Sequence, residues 1–125
     1  MPGSVAPMSS LIEVRFSNPS ATYRAGDEVA GVVRVSAIGE GRIGATEVSV
    51  LWHTEGKATT DTGLVWFESY PEASGAERES PFCARLPLLP LTYHGSFVKI
   101  LWVVRVRCLG AFGNDTVVDE PFVVR

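Results

Sequence analysis

The chain has 125 residues and a formal net charge of −3, and 46% of its residues are hydrophobic. This length favours a single domain, which can bury a core without the help of a disulfide or a metal. Basic and acidic residues are interspersed along the chain, which excludes the basic face typical of proteins that bind nucleic acid or anionic membranes. No apolar run approaches the roughly 20 residues of a membrane-spanning helix, so membrane insertion is not expected.

The first ten residues, MPGSVAPMSS, contain neither a basic start nor an apolar segment, so they do not resemble a secretory signal. We expect residues 1–10 to be disordered and residues 11–125 to form one domain. The alternation of side chains turns Cys108 inward and Cys83 outward, so both cysteines are expected to be free thiols. Free thiols and the missing signal together predict a cytoplasmic protein.

Alternating apolar and polar residues predict extended strands throughout, and no segment shows helical periodicity. The predicted strands are residues 11–16, 29–36, 46–55, 60–70, 78–88, 97–109 and 117–125. Seven strands separated by turn signals indicate an all-β sandwich. Prolines place the fifth of these strands at an edge or a bulge, the fourth is expected at an edge, and Glu120-Pro121 predicts a bulge in the last.

Residues 97–109, FVKILWVVRVRCL, are predicted to form the central strand of the sandwich. The even positions, from Val98 to Cys108, are all apolar and are expected to face the core, whereas Arg105 and Arg107 occupy odd positions. Leu101 and Val103, at odd positions in the middle of the strand, are also apolar, which predicts that a neighbour covers part of the outer face. The same alternation turns four residues of the fifth strand inward: Phe82, Ala84, Leu86 and Leu88.

Residues that could support catalysis or hold a metal are few. A triad built on Ser96 would need a nucleophile held at a strand-to-helix turn, and the sequence has no GxSxG motif. Its remaining members would come from His53, His94, Asp61, Asp115 and Asp119. A zinc site needs three or four converging ligands, and two separated histidines and two separated cysteines do not reach that number. The prediction is a protein without enzymatic activity, metal or cofactor.

Tryptophan residues are candidates for a carbohydrate-binding platform. Trp52 and Trp102 fall on inward rows, so core packing is the expected role for both. Trp66 alternates with Val65 and Phe67 and is the best candidate for an exposed aromatic residue. A β-sandwich module that binds carbohydrate or another ligand through Trp66 is therefore the alternative function.

Arg105 and Arg107 lie two residues apart on one face of the central strand, and Arg15 or Arg34 is expected to join them across the sheet. Such a stripe either binds a phosphate or carboxylate bidentately or forms cross-strand ion pairs. The expected ion-pair partners are Glu13 and Glu47.

Residues 87–95, PLLPLTYHG, form a long apolar turn that leads into the central strand. Two placements are open for its side chains. Leu89, Leu91 and Tyr93, with His94, either lie at the surface as a contact site or close the open end of the sandwich.

Several segments carry a resemblance to a known family. Residues 23–33, YRAGDEVAGVV, resemble the arrestin pattern Y-x-x-G-[ED]-x-V-x-G, and residues 90–95 supply the more specific element P-L-x-Y-x-G. Residues 51–57, residues 98–106 and Pro121-Phe122 are similar to later strands of bacterial arrestin-like proteins. The resemblance covers nearly the whole chain.

This family comprises arrestins, arrestin-domain adaptors, the arrestin-like subunit of retromer and bacterial sporulation-control relatives. The resemblance implies an immunoglobulin-like β-sandwich of the N-terminal arrestin type and a non-enzymatic adaptor that binds protein partners. Members usually have two lobes in tandem, whereas this chain supplies one, so their interlobe polar core does not carry over. Edge strands and end loops are the expected contact sites, with self-association through an edge as one outcome. The candidate partner-binding residues are Arg15, Trp66, Leu89, Leu91, Tyr93, His94, Arg105 and Arg107.

Overall fold

The computed structural model describes residues 12–37, 41–56, 60–110 and 115–125. Within these ranges the chain forms eleven β-strands and no helix. In chain order the strands are β1 (Ile12–Phe16), β2 (Thr22–Tyr23), β3 (Glu28–Ser36), β4 (Arg42–Ile43), β5 (Thr46–Gly56), β6 (Thr62–Tyr70), β7 (Ala73–Ser74), β8 (Glu77–Arg85), β9 (Tyr93–His94), β10 (Val98–Cys108) and β11 (Thr116–Val124).

Two sheets contain nearly all of these strands. Strands β1, β3 and β8 form a three-stranded sheet, and β2, β11, β10, β5 and β6 follow one another in a six-stranded sheet, where β9 also pairs with β10. Strands β4 and β7 form a separate pair. All pairings are antiparallel except that of β2 with β11, which is parallel. The predicted all-β sandwich is confirmed.

Strand β10 is the centre of the larger sheet because it pairs along most of its length with β5 on one side and with β11 on the other. Trp102, Val104 and Val106 are fully buried on its inner face, as the alternation predicts. The inner row weakens at the start of the strand, where Val98 is exposed. Val103 is buried although it lies on the outer face, which confirms that part of that face is covered.

Aromatic rings join the two sheets. The ring of Phe16, on β1, packs against Phe82 of the same sheet at 6.1 Å and against Phe122 of the other sheet at 5.8 Å between ring centroids. Phe122 in turn contacts Tyr23 and Trp102, each at 5.8 Å. Edge-to-face and tilted pairs of this kind add about 0.5–1.5 kcal/mol each beyond the burial of their area.

The seven predicted strands correspond to the seven longest ones, β1, β3, β5, β6, β8, β10 and β11. β6 and β8 lie at sheet edges, as predicted. Cys83 and Cys108 are free thiols. Residues 1–10, which are expected to be disordered, lie outside the described residues.

Two details of the predicted strands are wrong. The alternation predicts Leu88 on the inner row of the fifth strand, but β8 ends at Arg85 and the Leu88 side chain is exposed. The predicted bulge at Glu120-Pro121 is absent, because the pairing of β11 with β10 runs without a shift through Pro121. β2 pairs with β11 only at Val123 and Val124, so the edge of β11 opposite β10 has no partner strand at Pro121. The missing amide of the proline therefore removes no hydrogen bond of the sheet.

The Trp102 side chain is expected to be the most sensitive position of the core. It is 1% exposed, and its indole nitrogen donates a hydrogen bond to the Pro90 carbonyl at 3.0 Å. Trp102→Phe removes that donor and leaves a cavity, so we expect a loss of about 2–4 kcal/mol in the free energy of unfolding. Urea unfolding measures the change, and Phe97→Leu, at an exposed position, is the control. A loss below about 1 kcal/mol would contradict this account of the core.

Candidate functional site

One loop of the sandwich exposes a group of apolar side chains. Leu88, Leu89 and Phe97 are 74%, 73% and 77% exposed, and Tyr93 is exposed by about half of its surface. Only Leu86, at the start of the loop, is buried and fills the core. We call the exposed side chains of Leu88, Leu89, Leu91, Tyr93 and Phe97 the apolar loop surface. Of the two placements open from the sequence, exposure at the surface is the one observed.

Hydrogen bonds hold the backbone of this loop at several points. The Thr92 amide donates to the Val124 carbonyl, and the Val124 amide donates to the Thr92 hydroxyl, both at 2.9 Å. The Pro90 carbonyl accepts from the Trp102 indole, and the Leu86 amide donates to the backbone carbonyl of Asp27. The loop therefore presents its apolar side chains on a fixed backbone, which reduces the ordering cost of binding.

A cavity of about 670 Å³ that is largely open to solvent lies at the end of the β2–β11 pair. Its lining residues are Ser20, Thr22, Tyr23, Arg24, Asp27 and Arg125. The Asp27 carboxylate accepts a hydrogen bond from the Arg24 amide at 2.9 Å, which closes the turn around Gly26. Gly26 has a φ of 86°, a conformation that favours glycine, and Leu88 packs against it. We call this cavity the arginine pocket.

Tyr23 is the buried polar residue of the arginine pocket. Its side chain packs in the aromatic cluster and is 7% exposed, and its hydroxyl forms no hydrogen bond within the described residues. Burial raises the pKa of Tyr23, and the nearby backbone of Asn18 offsets only part of that rise.

The predicted stripe of Arg105 and Arg107 is already neutralised. Arg105 donates two hydrogen bonds to Asp119, at 2.8 and 3.0 Å, and Arg107 donates two to Asp115. The hydrogen bond to Asp119 raises the pKa of Arg105. Of the two roles predicted for this stripe, the structure shows cross-strand ion pairs. The partners are aspartates of the same hairpin, not the expected Glu13 and Glu47. Half-exposed pairs of this kind contribute about 0–1 kcal/mol.

The expectation that Arg15 or Arg34 joins this stripe is wrong. Both residues lie in the three-stranded sheet, on β1 and β3, whereas the stripe lies on the larger sheet. Arg15 pairs with Glu13, and Arg34 pairs with Glu13, Glu77 and Glu79. The hydrogen bond to Glu79, with the charges of the other two glutamates, raises the pKa of Arg34.

Trp66 does not form a surface platform. A bulge in the β5–β6 pairing, between Val50 and Leu51, turns Trp66 and Val65 together toward the core, where both are partly buried. Phe67 is the exposed aromatic residue of β6. Trp52 and Trp102 also lie on the core side, as predicted.

Residues considered for catalysis are dispersed. His53 lies on the outer face of β5 opposite Leu101, and His94 is exposed on β9 opposite Lys99. Across the ranges described above, no group of three or more histidine, cysteine or acidic residues is placed to hold a metal ion. A search of the same residues finds no helix long and apolar enough to cross a membrane.

Edge strands differ in how far they are protected against a further strand. β6 and β8 both have nine residues, but β8 carries Pro81 and charged residues at its ends, whereas β6 has no proline and exposes the side chains of Leu64 and Phe67. The bulge in β6 interrupts its regular pairing. A long apolar edge is a site for strand addition, so self-association through β6 stays a prediction.

Sequence reasoning missed Arg24, Arg125 and Phe97. Arg24 and Arg125 lie opposite each other where the parallel pairing of β2 with β11 continues, and nothing local in the sequence indicates that pairing between distant segments. The sequence predicts Phe97 as the first residue of the central strand, but β10 begins one residue later. Gly95 follows β9 and is the local sign of the tight turn between β9 and β10, which contains Phe97.

Comparison with solved structures identifies the fold. The crystal structure of Spo0M, a sporulation control protein from Bacillus subtilis, superimposes with a TM-score of 0.68 and 17% sequence identity. The chain has an arrestin-like fold. The match covers 91% of this chain and 48% of Spo0M, so the chain spans about half the length of that neighbour. At this identity the likeness establishes the fold alone.

No protein-family model and no curated protein matches the sequence. The arrestin-like resemblance of residues 23–33 and 90–95 agrees at the level of fold with the superposition on Spo0M.

Two tyrosines provide a matched test of the hydrogen bonds. Tyr70 donates to the Pro81 carbonyl at 3.2 Å, whereas Tyr23 has no such partner. We expect Tyr70→Phe to lower the free energy of unfolding by about 0.5–1.5 kcal/mol. Tyr23→Phe is expected to leave it unchanged or to raise it, because a buried hydroxyl without a partner is unfavourable. Thermal unfolding compares the two variants. A larger loss for Tyr23→Phe than for Tyr70→Phe would show that the Tyr23 hydroxyl is bonded.

Proposed function

We propose that this arrestin-like domain is a non-enzymatic protein-interaction module whose partners bind the apolar loop surface. The observation that supports it is the exposure of Leu88, Leu89 and Phe97 on a backbone held by hydrogen bonds. Monomeric proteins seldom expose several large apolar side chains on one short segment unless these contact a partner. The fold also supports a binding role, since the family that it resembles consists of adaptors.

The proposal keeps some of the partner-binding residues predicted from the sequence and leaves others out. Leu89, Leu91, Tyr93 and His94 belong to the loop and stay in the proposed contact. Arg105 and Arg107 are left out because aspartates already neutralise them. The carbohydrate alternative loses its main support, because Trp66 packs against the core. A cytoplasmic location remains part of the proposal and is consistent with the two free thiols.

A comparative capture experiment tests the proposal. The immobilised full chain and the double variant Leu88→Ser, Leu89→Ser are incubated with lysate of the source organism, and the bound proteins are quantified by mass spectrometry. Leu64→Ser is the matched control, because Leu64 is 61% exposed on β6, outside the loop. We expect a protein that the wild-type chain and the control retain and the double variant loses by about tenfold or more, since a few apolar anchors usually dominate an interface.

The captured protein is then purified and its affinity for the three chains is measured directly. Equal binding to the wild type and the double variant would exclude the apolar loop surface as the contact. Binding that only Leu64→Ser abolishes would move the contact to the β6 edge.

A further inference from the structure

Strand β1 has a partner strand on one side only. It lies at the end of the three-stranded sheet, and among the described strands it pairs with β3 alone. The pairing runs through all five residues of β1 without a shift, and none of the five is a proline. The backbone of β1 is therefore regular, and an open edge of this kind can accept a further strand.

The other edges of the two sheets are interrupted. Pro81, at the middle of β8, has no amide to donate to an added strand. The pairing of β6 with β5 shifts at a bulge, and β2 has two residues. Of these edges, β1 offers the regular backbone on which a second strand can pair residue by residue.

The backbone groups on the open side of β1 follow from its pairing with β3. The Ser17 amide donates to the Ala30 carbonyl at 2.9 Å, directly beyond the end of the strand. Hydrogen-bonded pairs alternate along an antiparallel ladder, so the odd-numbered residues of β1 direct their amides and carbonyls to β3. The even-numbered residues, Ile12, Val14 and Phe16, therefore direct theirs to the open side.

The sequence of β1, IEVRF, matches itself in the antiparallel direction. When two copies pair about Val14, Glu13 of each chain lies opposite Arg15 of the other. Ile12 lies opposite Phe16, and Val14 lies opposite its own copy, so apolar residues meet apolar ones. Both charged side chains are exposed on the solvent face, where opposite charges across a strand pair are favourable.

Charge selects this register among those that a two-fold axis allows. Residues directly opposite each other point to the same face, so the axis passes through one residue of β1. An axis through Glu13 sets two glutamates opposite each other, and an axis through Arg15 sets two arginines opposite each other, which is unfavourable. An axis at Val14 avoids both arrangements and pairs the whole strand.

We propose that two copies of this chain form a symmetric dimer in which β1 pairs antiparallel with β1 of the second copy about Val14. The two three-stranded sheets then become one continuous sheet, and the partly buried side chains of Val14 and Phe16 gain a neighbour. Only five residues of each chain pair, so the dimer is weak and depends on concentration. This inference uses no residue of the apolar loop surface and stands apart from the proposed function.

Sedimentation equilibrium of the full chain, from micromolar to millimolar concentration, tests the proposal. We expect a monomer–dimer equilibrium for the wild type. Glu13→Arg and Arg15→Glu each set like charges opposite each other, so each is expected to weaken dimerisation by about tenfold or more. An equimolar mixture of the two variants is expected to restore the dimer, because every charge of one chain then meets its opposite on the other.

Arg85→Glu is the matched control, because Arg85 is an exposed arginine at the other edge of the same sheet. We expect it to leave dimerisation unchanged. Glu13 and Arg15 are exposed, so their variants are expected to fold, and thermal unfolding verifies it.

Amide hydrogen exchange of the wild type locates the contact without any substitution. The amides of Val14 and Phe16 are expected to exchange rapidly at low concentration and to gain protection at high concentration, where the second copy accepts their hydrogen bonds. The amides of Glu13 and Arg15 donate to β3 and are expected to be protected at both concentrations.

Three results would overturn the proposal. The first is a monomer at every concentration. The second is a dimer that Leu64→Lys weakens and Glu13→Arg does not, which would place self-association at β6. The third is a dimer in which exchange at Val14 does not change, or which the mixed variants fail to restore. The capture experiment with Leu88→Ser, Leu89→Ser decides the proposed function separately.

Discussion

The hydrogen bond from the Trp102 indole to the Pro90 carbonyl joins the core of this protein to its exposed loop. Trp102 lies at the middle of the central strand, packed against Phe122 and sealed from water. Its only polar atom reaches a carbonyl of the loop, so the same side chain fills the core and satisfies a backbone group outside it. This contact therefore links the burial of the ring to the position of Pro90, and the hydrogen bonds between Thr92 and Val124 hold the loop beside it.

Two kinds of surface follow from this arrangement. The outer faces of the sheets carry arginines that carboxylates neutralise within the chain, such as Arg34 beside Glu79 and Arg105 beside Asp119. The end that carries the loop differs, because its leucines are exposed.

Periodicity of two predicts the long strands well, because each of them has one buried face. It fails where contacts are nonlocal or local geometry departs from the regular pleat. The two-residue strands have too few residues for any pattern, the bulge reverses the facing of Trp66, and the parallel contact between Arg24 and Arg125 joins distant segments. Exposure of Leu89 could not be decided, since an apolar turn can cover a core or face solvent with the same sequence.

Amide hydrogen exchange at the loop tests most directly whether this surface is held in place. Thr92 lies directly before β9, in a segment without regular strand structure, but its amide donates a hydrogen bond to the Val124 carbonyl. If the loop is fixed as described, this amide exchanges slowly, with protection close to that of residues in β11. Exchange of Thr92 at the rate of an unstructured peptide, while β11 remains protected, would show that the loop is not anchored to the core.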